Sequence, residues 1–131
     1  MTRPFTYTPE QEAWLHDLET TKTKQAIGIL HSRKGLKNSY CCLGRACVVL
    51  KVERTIEDKR IEYEGSDQVL SYAARDRLHL FSTNGHDKRS NSTLTELNDK
   101  GMSFKEIAKT VRSDPWNWFR EDANGGPDDG F

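Results

Sequence analysis

What is scarce in this sequence narrows it first. No apolar run approaches the roughly 18 residues of a membrane-spanning helix. The N-terminal stretch MTRPFTYTPEQE lacks the apolar segment of a secretory signal, so the expected location is the cytoplasm. Cysteine is confined to Cys41, Cys42 and Cys47. An odd, crowded set is not a disulfide framework, whose cysteines come in even numbers spread along the chain. Reduced thiols are expected.

Apolar residues are also few. Of 131 residues 34% are hydrophobic, and Leu, Ile, Val and Phe together number 26, close to the roughly 20% below which a highly charged chain tends not to fold alone. The core must be small. Three Trp, four Tyr and five Phe add buried area in large units and argue against disorder throughout. A core this lean also points to self-association as a homo-oligomer. Net charge is absent, with 20 Lys+Arg against 20 Asp+Glu. The balance is uneven, because the terminal EDANGGPDDGF holds four acids and no base, leaving residues 1–120 at net +4. Such a body suits a phosphorylated small ligand better than the coating of DNA.

The local signals read as an α+β fold, a small antiparallel sheet or hairpin packed with four to five short helices. They imply a single domain over residues 1–120 and a disordered acidic, Gly-rich tail over 121–131. Thr8-Pro9-Glu10-Gln11 combines an N-cap, a first-position proline and a capping-box glutamine ahead of Trp14, Leu15 and Leu18, predicting a helix over 9–20. Lys24 to Leu30 reads as the first strand of a hairpin, Ser32 to Gly35 as its turn and Leu36 to Cys41 as its second strand. From Leu43 the apolar spacing Leu43, Ala46, Cys47, Leu50 is helical. Residues 53–67 read as one or two short strands or a loop insert rather than core, and Ser71 to Leu80 as a helix. Thr93-Leu94-Thr95-Glu96 and Ser103-Phe104-Lys105-Glu106 are two capping boxes around the turn Asn98 to Gly101, so two short helices meet at a corner. Asp114-Pro115 ends the second.

Familiar catalytic patterns are missing as well. There is no Walker, G-x-G-x-x-G, H-E-x-x-H or G-x-S-x-G motif. His16, His31, His79 and His86 lie in unconnected segments, so no cysteine has an evident base. The cysteines near His31 do not have the spacing of a zinc knuckle and read as small buried hydrophobes. The expectation is a non-enzyme without metal or cofactor. SFKEIAKTV after a short helix opens like a helix-turn-helix, but SDPWNWFRED follows where a recognition helix should stand, and a packed corner is the favoured reading. Binding of a nucleotide-like anion needs cations for phosphate, an aromatic face and hydroxyl-reading groups. The chain offers Arg75, Arg77, Arg112 and Arg120, the rings Phe81 and Trp116, and Asn98 with Asp99. Arginines on a surface and aromatics in a core are the plainer alternative for each.

Order and spacing add a resemblance. Trp14-Leu15, Gln25 to Leu30, Tyr40-Cys41-Cys42-Leu43-Gly44 and Leu97-Asn98-Asp99-Lys100-Gly101-Met102-Ser103-Phe104-Lys105-Glu106-Ile107-Ala108 resemble a family of small phage and prophage proteins, over residues 14 to about 119. The YCCLG and LND-x-G-x-SF-x-EIA motifs resemble the first of the Thoeris anti-defence families, phage proteins that bind and sequester cyclic ADP-ribose isomers without cleaving them. The resemblance implies a cyclic nucleotide immune signal as partner, with cyclic oligonucleotides at a further site in some members, and an oligomer with pockets between protomers. It carries over to Asn98 and Asp99, which fit ribose or backbone recognition at the helix corner and fit capping the helix and shaping the turn equally well. Two other classes remain as alternatives, a DNA-binding regulator and an inhibitor that docks on a host protein through Trp116, Trp118 and Phe119.

Overall fold

The computed structural model describes residues 4–57 and 60–121. Among these described residues are five α-helices, a three-stranded sheet and a separate two-stranded hairpin, an α+β arrangement around one hydrophobic cluster. No helix among the described residues is long and apolar enough to cross a membrane. The expectation of a disordered tail falls on residues 122–131, outside the described residues.

Helix α1 (Pro9–Thr20) starts where its capping box predicts, with Gln11 N–H donating to Thr8 Oγ1 and Thr8 N–H to Gln11 Oε1. Trp14, Leu15 and Leu18 are buried. Gln11 is buried with them because its amide donates to Leu78 O at 3.0 Å, which offsets the desolvation of the side chain. Trp14 likewise donates from Nε1 to Cys42 O at 2.9 Å.

The first sheet departs from expectation. Strand β1 is only Lys24–Gln25 and pairs in parallel with β3 (Lys37–Tyr40), while β2 (His31–Lys34) pairs antiparallel with β3, so the sheet is mixed. The hairpin turn is Gly35-Leu36, with Gly35 at φ +65, a left-handed position that suits a two-residue turn. Residues 26–30, expected as strand, form an irregular segment instead. Gly28 takes φ +77, and Leu30 N–H donates to Asp67 O at 2.8 Å, so this backbone turns away from the ladder.

Helix α2 (Cys42–Leu50) is capped by Cys41, whose Sγ accepts from Gly44 N at 3.3 Å. Gly44 has a packing reason. A Cβ there would sit 1.8 Å from Leu30 O, so only glycine lets the helix approach the 26–30 segment. All three cysteines are free and buried, as their reading as small hydrophobes requires. Strands β4 (Arg54–Glu57) and β5 (Arg60–Tyr63) form the second hairpin. It corrects the reading of 53–67 as outside the core, because Ile61 and Tyr63 alternate into the cluster while β4 stays exposed. Helices α3 (Tyr72–Arg77), α4 (Leu94–Asp99) and α5 (Phe104–Ser113) follow, each with its serine or threonine N-cap engaged. A 3-10 turn at Pro115–Asn117 closes the chain onto α3, where Leu80 bridges Phe119.

Candidate functional site

The two motifs that carry the resemblance meet at one joint. Asn98, fully buried at the end of α4, accepts at Oδ1 from Cys42 N (3.1 Å) and Gln25 Nε2 (2.8 Å), and donates from Nδ2 to Ala26 O (2.7 Å) and Asp99 Oδ1 (3.3 Å). Gln25 also donates to Met102 O at 2.7 Å. The joint thus ties β1, the 26–30 segment, α2 and the α4–α5 corner together. Asn98 has no capacity left for a ribose hydroxyl, which corrects its expected role.

Asp99 fares differently. It is exposed, and its Oδ1 accepts from Gly28 N at 3.0 Å. It lines a cavity of about 180 Å³ with Gly28, Cys41, Gln68, Asn84 and Thr95. Cys41 comes from YCCLG and Asp99 from the LND motif, so both motifs reach the same wall. The wall offers hydroxyl, amide and carboxylate groups and no cation. Burial pushes the Cys41 thiol up to about 11, so it stays protonated and a poor nucleophile. Cys47 is pushed up to about 12 for the same reason.

The arginines assigned to phosphate are engaged elsewhere and not with one another as a set. Arg112 clasps α5 to α1 through Glu12 (2.6 Å) and Glu19 (2.7 Å) and lies over the Tyr7 ring. Those contacts raise the guanidinium pKa, and its hydrogen bonds hold Glu12 below the usual carboxylate range. Arg75 and Arg120 do come together, but on a shared carboxylate, Asp76, at 2.9 and 3.0 Å. Arg120 also donates to Leu80 O, and Arg77 to Leu50 O at 3.0 Å. Arg112, Arg75 and Arg120 are therefore spent on carboxylates of the fold, while Arg77 is exposed with one backbone contact, so the four do not come together as a phosphate site. The rings are used similarly. Phe81 stacks on His86 at 5.9 Å, and Trp116 packs edge-on against Phe5 at 4.8 Å. Trp118 and Phe119 are buried, so the aromatic patch proposed for a host protein is not on the surface.

The sequence reading missed a basic face. Residues 21–52 contain seven Lys and Arg and no Asp or Glu, a run hidden when charge was counted over the whole body. Lys24, Lys34 and Lys37 from this run line a cavity of about 290 Å³ with Ser32, Ser39 and Ile29. Ile29 lines the Asp99 cavity as well, so the two cavities flank the 26–30 segment. Among the described residues no group of three or more His, Cys, Asp or Glu is placed to hold a metal ion. Comparison with family models, with curated proteins and with solved structures gives no match.

Proposed function

We propose that this chain is a binding protein that holds a nucleotide-class small molecule intact, and that it acts as an anti-defence sponge for a cyclic nucleotide immune signal. The observation that carries the reading is the cavity where the two resemblance motifs meet, walled by Thr95, Asn84, Gln68 and the Asp99 carboxylate. A carboxylate with amides and hydroxyls is suited to sugar hydroxyls, which donate to it, and its charge disfavours phosphate at the same spot. Sequestration requires a dissociation constant below the signalling concentration and hence a pocket formed in advance. The joint behind the wall supplies that rigidity, since Asn98 and Gln25 tie four segments together. Self-association and a cytoplasmic site of action belong to the same proposal.

The test is thermal unfolding with cyclic ADP-ribose isomers, cyclic di- and trinucleotides, linear nucleotides and duplex DNA. A shift with a cyclic nucleotide, recovery of that nucleotide unmodified, and loss of the shift in Thr95→Ala and Asp99→Asn are expected. Shifts with duplex DNA alone would replace the proposal with a regulator. No shift with any of them would direct attention to the exposed Ile27, Leu36 and Ile56 as a protein-docking surface.

A further inference from the structure

We propose that this protein binds the phosphates of a small di- or triphosphate on the lysine-lined outer face of the three-stranded sheet, at Lys24, Lys34 and Lys37. The identity of the phosphate's carrier rests on the proposed function, whereas the phosphate site stands on its own geometry. Side chains alternate across a strand, so Ser32 and Lys34 of β2 share a face with their register partners Ser39 and Lys37 of β3. Lys24 of β1 lies level with Ser39. The three lysines and two serines therefore line one shallow cavity.

One feature makes this more than a solvated surface. Lys34 and Lys37 stand directly opposite each other, a like-charge cross-strand pair that weakens the hairpin. The ion pairs that tie elements together use arginine instead: Asp17 on Arg45, Glu12 and Glu19 on Arg112, Asp76 on Arg75 and Arg120. Among the described residues none of the three lysines makes an ion pair. An unpaired like-charge pair is what an anion bridging it would relieve.

The chemistry selects phosphate oxygens. Ammonium groups act as point charges and need no planar fork, and serine hydroxyls donate to the remaining oxygens. No aromatic ring lines this cavity, so it offers a nucleobase nothing to stack on. A single-stranded nucleic acid would want such rings. The Asp99 cavity across Ile29 is closed to phosphate by its own charge, so sugar and phosphate would be read on opposite sides of the 26–30 segment.

The probe is inorganic tripolyphosphate, titrated calorimetrically into the wild type and into Lys34→Gln/Lys37→Gln. Both lysines are exposed, and their replacement relieves repulsion, so the variant is expected to melt no lower than the wild type without ligand. Its tripolyphosphate affinity should fall at least tenfold. Undiminished affinity in the double variant overturns the site, and so does binding of a short single-stranded oligonucleotide without binding of tripolyphosphate. Tripolyphosphate bound through the lysines with no nucleotide bound would sink the proposed function and leave this site standing. A nucleotide held equally by the wild type and the lysine variant would do the reverse.

Discussion

Asn98 spends both acceptor positions of its amide oxygen and both protons of its amide nitrogen inside the protein. Its position next to Asp99 made the pair look alike in the sequence, and the turn between two capping boxes fits ribose recognition and structural bonding equally. What separates them is burial, which no local pattern encodes. Truncation should be costly, because Ala26 O and Cys42 N would remain buried without their partner and each such group costs about 1–3 kcal/mol. Asn98→Ala is expected to lose roughly 3–5 kcal/mol in chemical denaturation. Asn98→Asp should lose a comparable amount, because a carboxylate cannot donate to Ala26 O and would face it at close range. A loss below about 1 kcal/mol in both variants would show that water replaces the joint. Asp99→Asn removes charge at an exposed site and keeps an oxygen for Gly28 N, so its effect on stability should stay within about 0.5 kcal/mol.

The two hairpins are joined through His31. Its Nε2 lies 2.8 Å from Asn38 Oδ1, and its Nδ1 lies 2.9 Å from the Tyr63 hydroxyl on β5. The ring stacks on Tyr40 at 4.1 Å. With Asn38 Oδ1 as acceptor, Nε2 carries the proton and Nδ1 accepts from Tyr63. Burial lowers the His31 pKa, the Asn38 bond partly opposes this, and the positive charges of Arg54, Arg33 and Arg45 lower it further. The unfolded chain then binds a proton at a pH where the folded chain does not. The stability held by the neutral ring is complete above the unfolded value near 6.5 and is lost as pH falls from there through the folded value. The melting temperature is therefore expected to decline below about pH 6.5. His31→Phe should start lower, because Tyr63 loses its acceptor, and should lose that step. An identical acid decline in the variant would assign it to other groups.

Legibility differed between elements for physical reasons. Helix starts were readable where a capping box stood, because a cap is a local device, and Thr8, Thr93 and Ser103 all cap as their sequence contexts indicate, while Ser71, expected inside its helix, caps it instead. The first hairpin was misplaced because Ala26 to Leu30 carries β-branched residues that fit a strand equally well. Its backbone is instead drawn off by Asp67 and by Gly44 packing against Leu30, both distant in sequence. Ile61 and Tyr63 did alternate visibly, yet the polar residues around them concealed that one face is core. Of the candidate site, Asp99 was legible from its motif. The arginines were not, since nothing in the sequence pairs Arg112 with Glu12 and Glu19 a hundred residues earlier. The lysine face was visible all along as the acid-free run 21–52.

At the scale of the whole molecule the zero net charge conceals two kinds of cation. Arg45, Arg112 and Arg120 are paired and partly buried, and hold α1 to α2, α1 to α5 and α3 to the C-terminal turn. The sheet lysines are exposed and unpaired, and repel one another across β2 and β3. Salt acts on these populations in opposite senses. Raising ionic strength from 0.1 M to 1 M shortens the screening length from about 10 Å to about 3 Å. Partly buried bidentate pairs feel this little, surface pairs contribute only about 0–1 kcal/mol each, and screening relieves the lysine repulsion. The melting temperature of the unliganded protein should therefore hold within a few degrees over that range. Tripolyphosphate binding should weaken more than tenfold, because its attraction acts through solvent-exposed charges. Should added salt lower the melting temperature steeply while leaving anion affinity intact, the division is wrong: the fold would then depend on exposed charge, and the bound anion would be held in a site shielded from water.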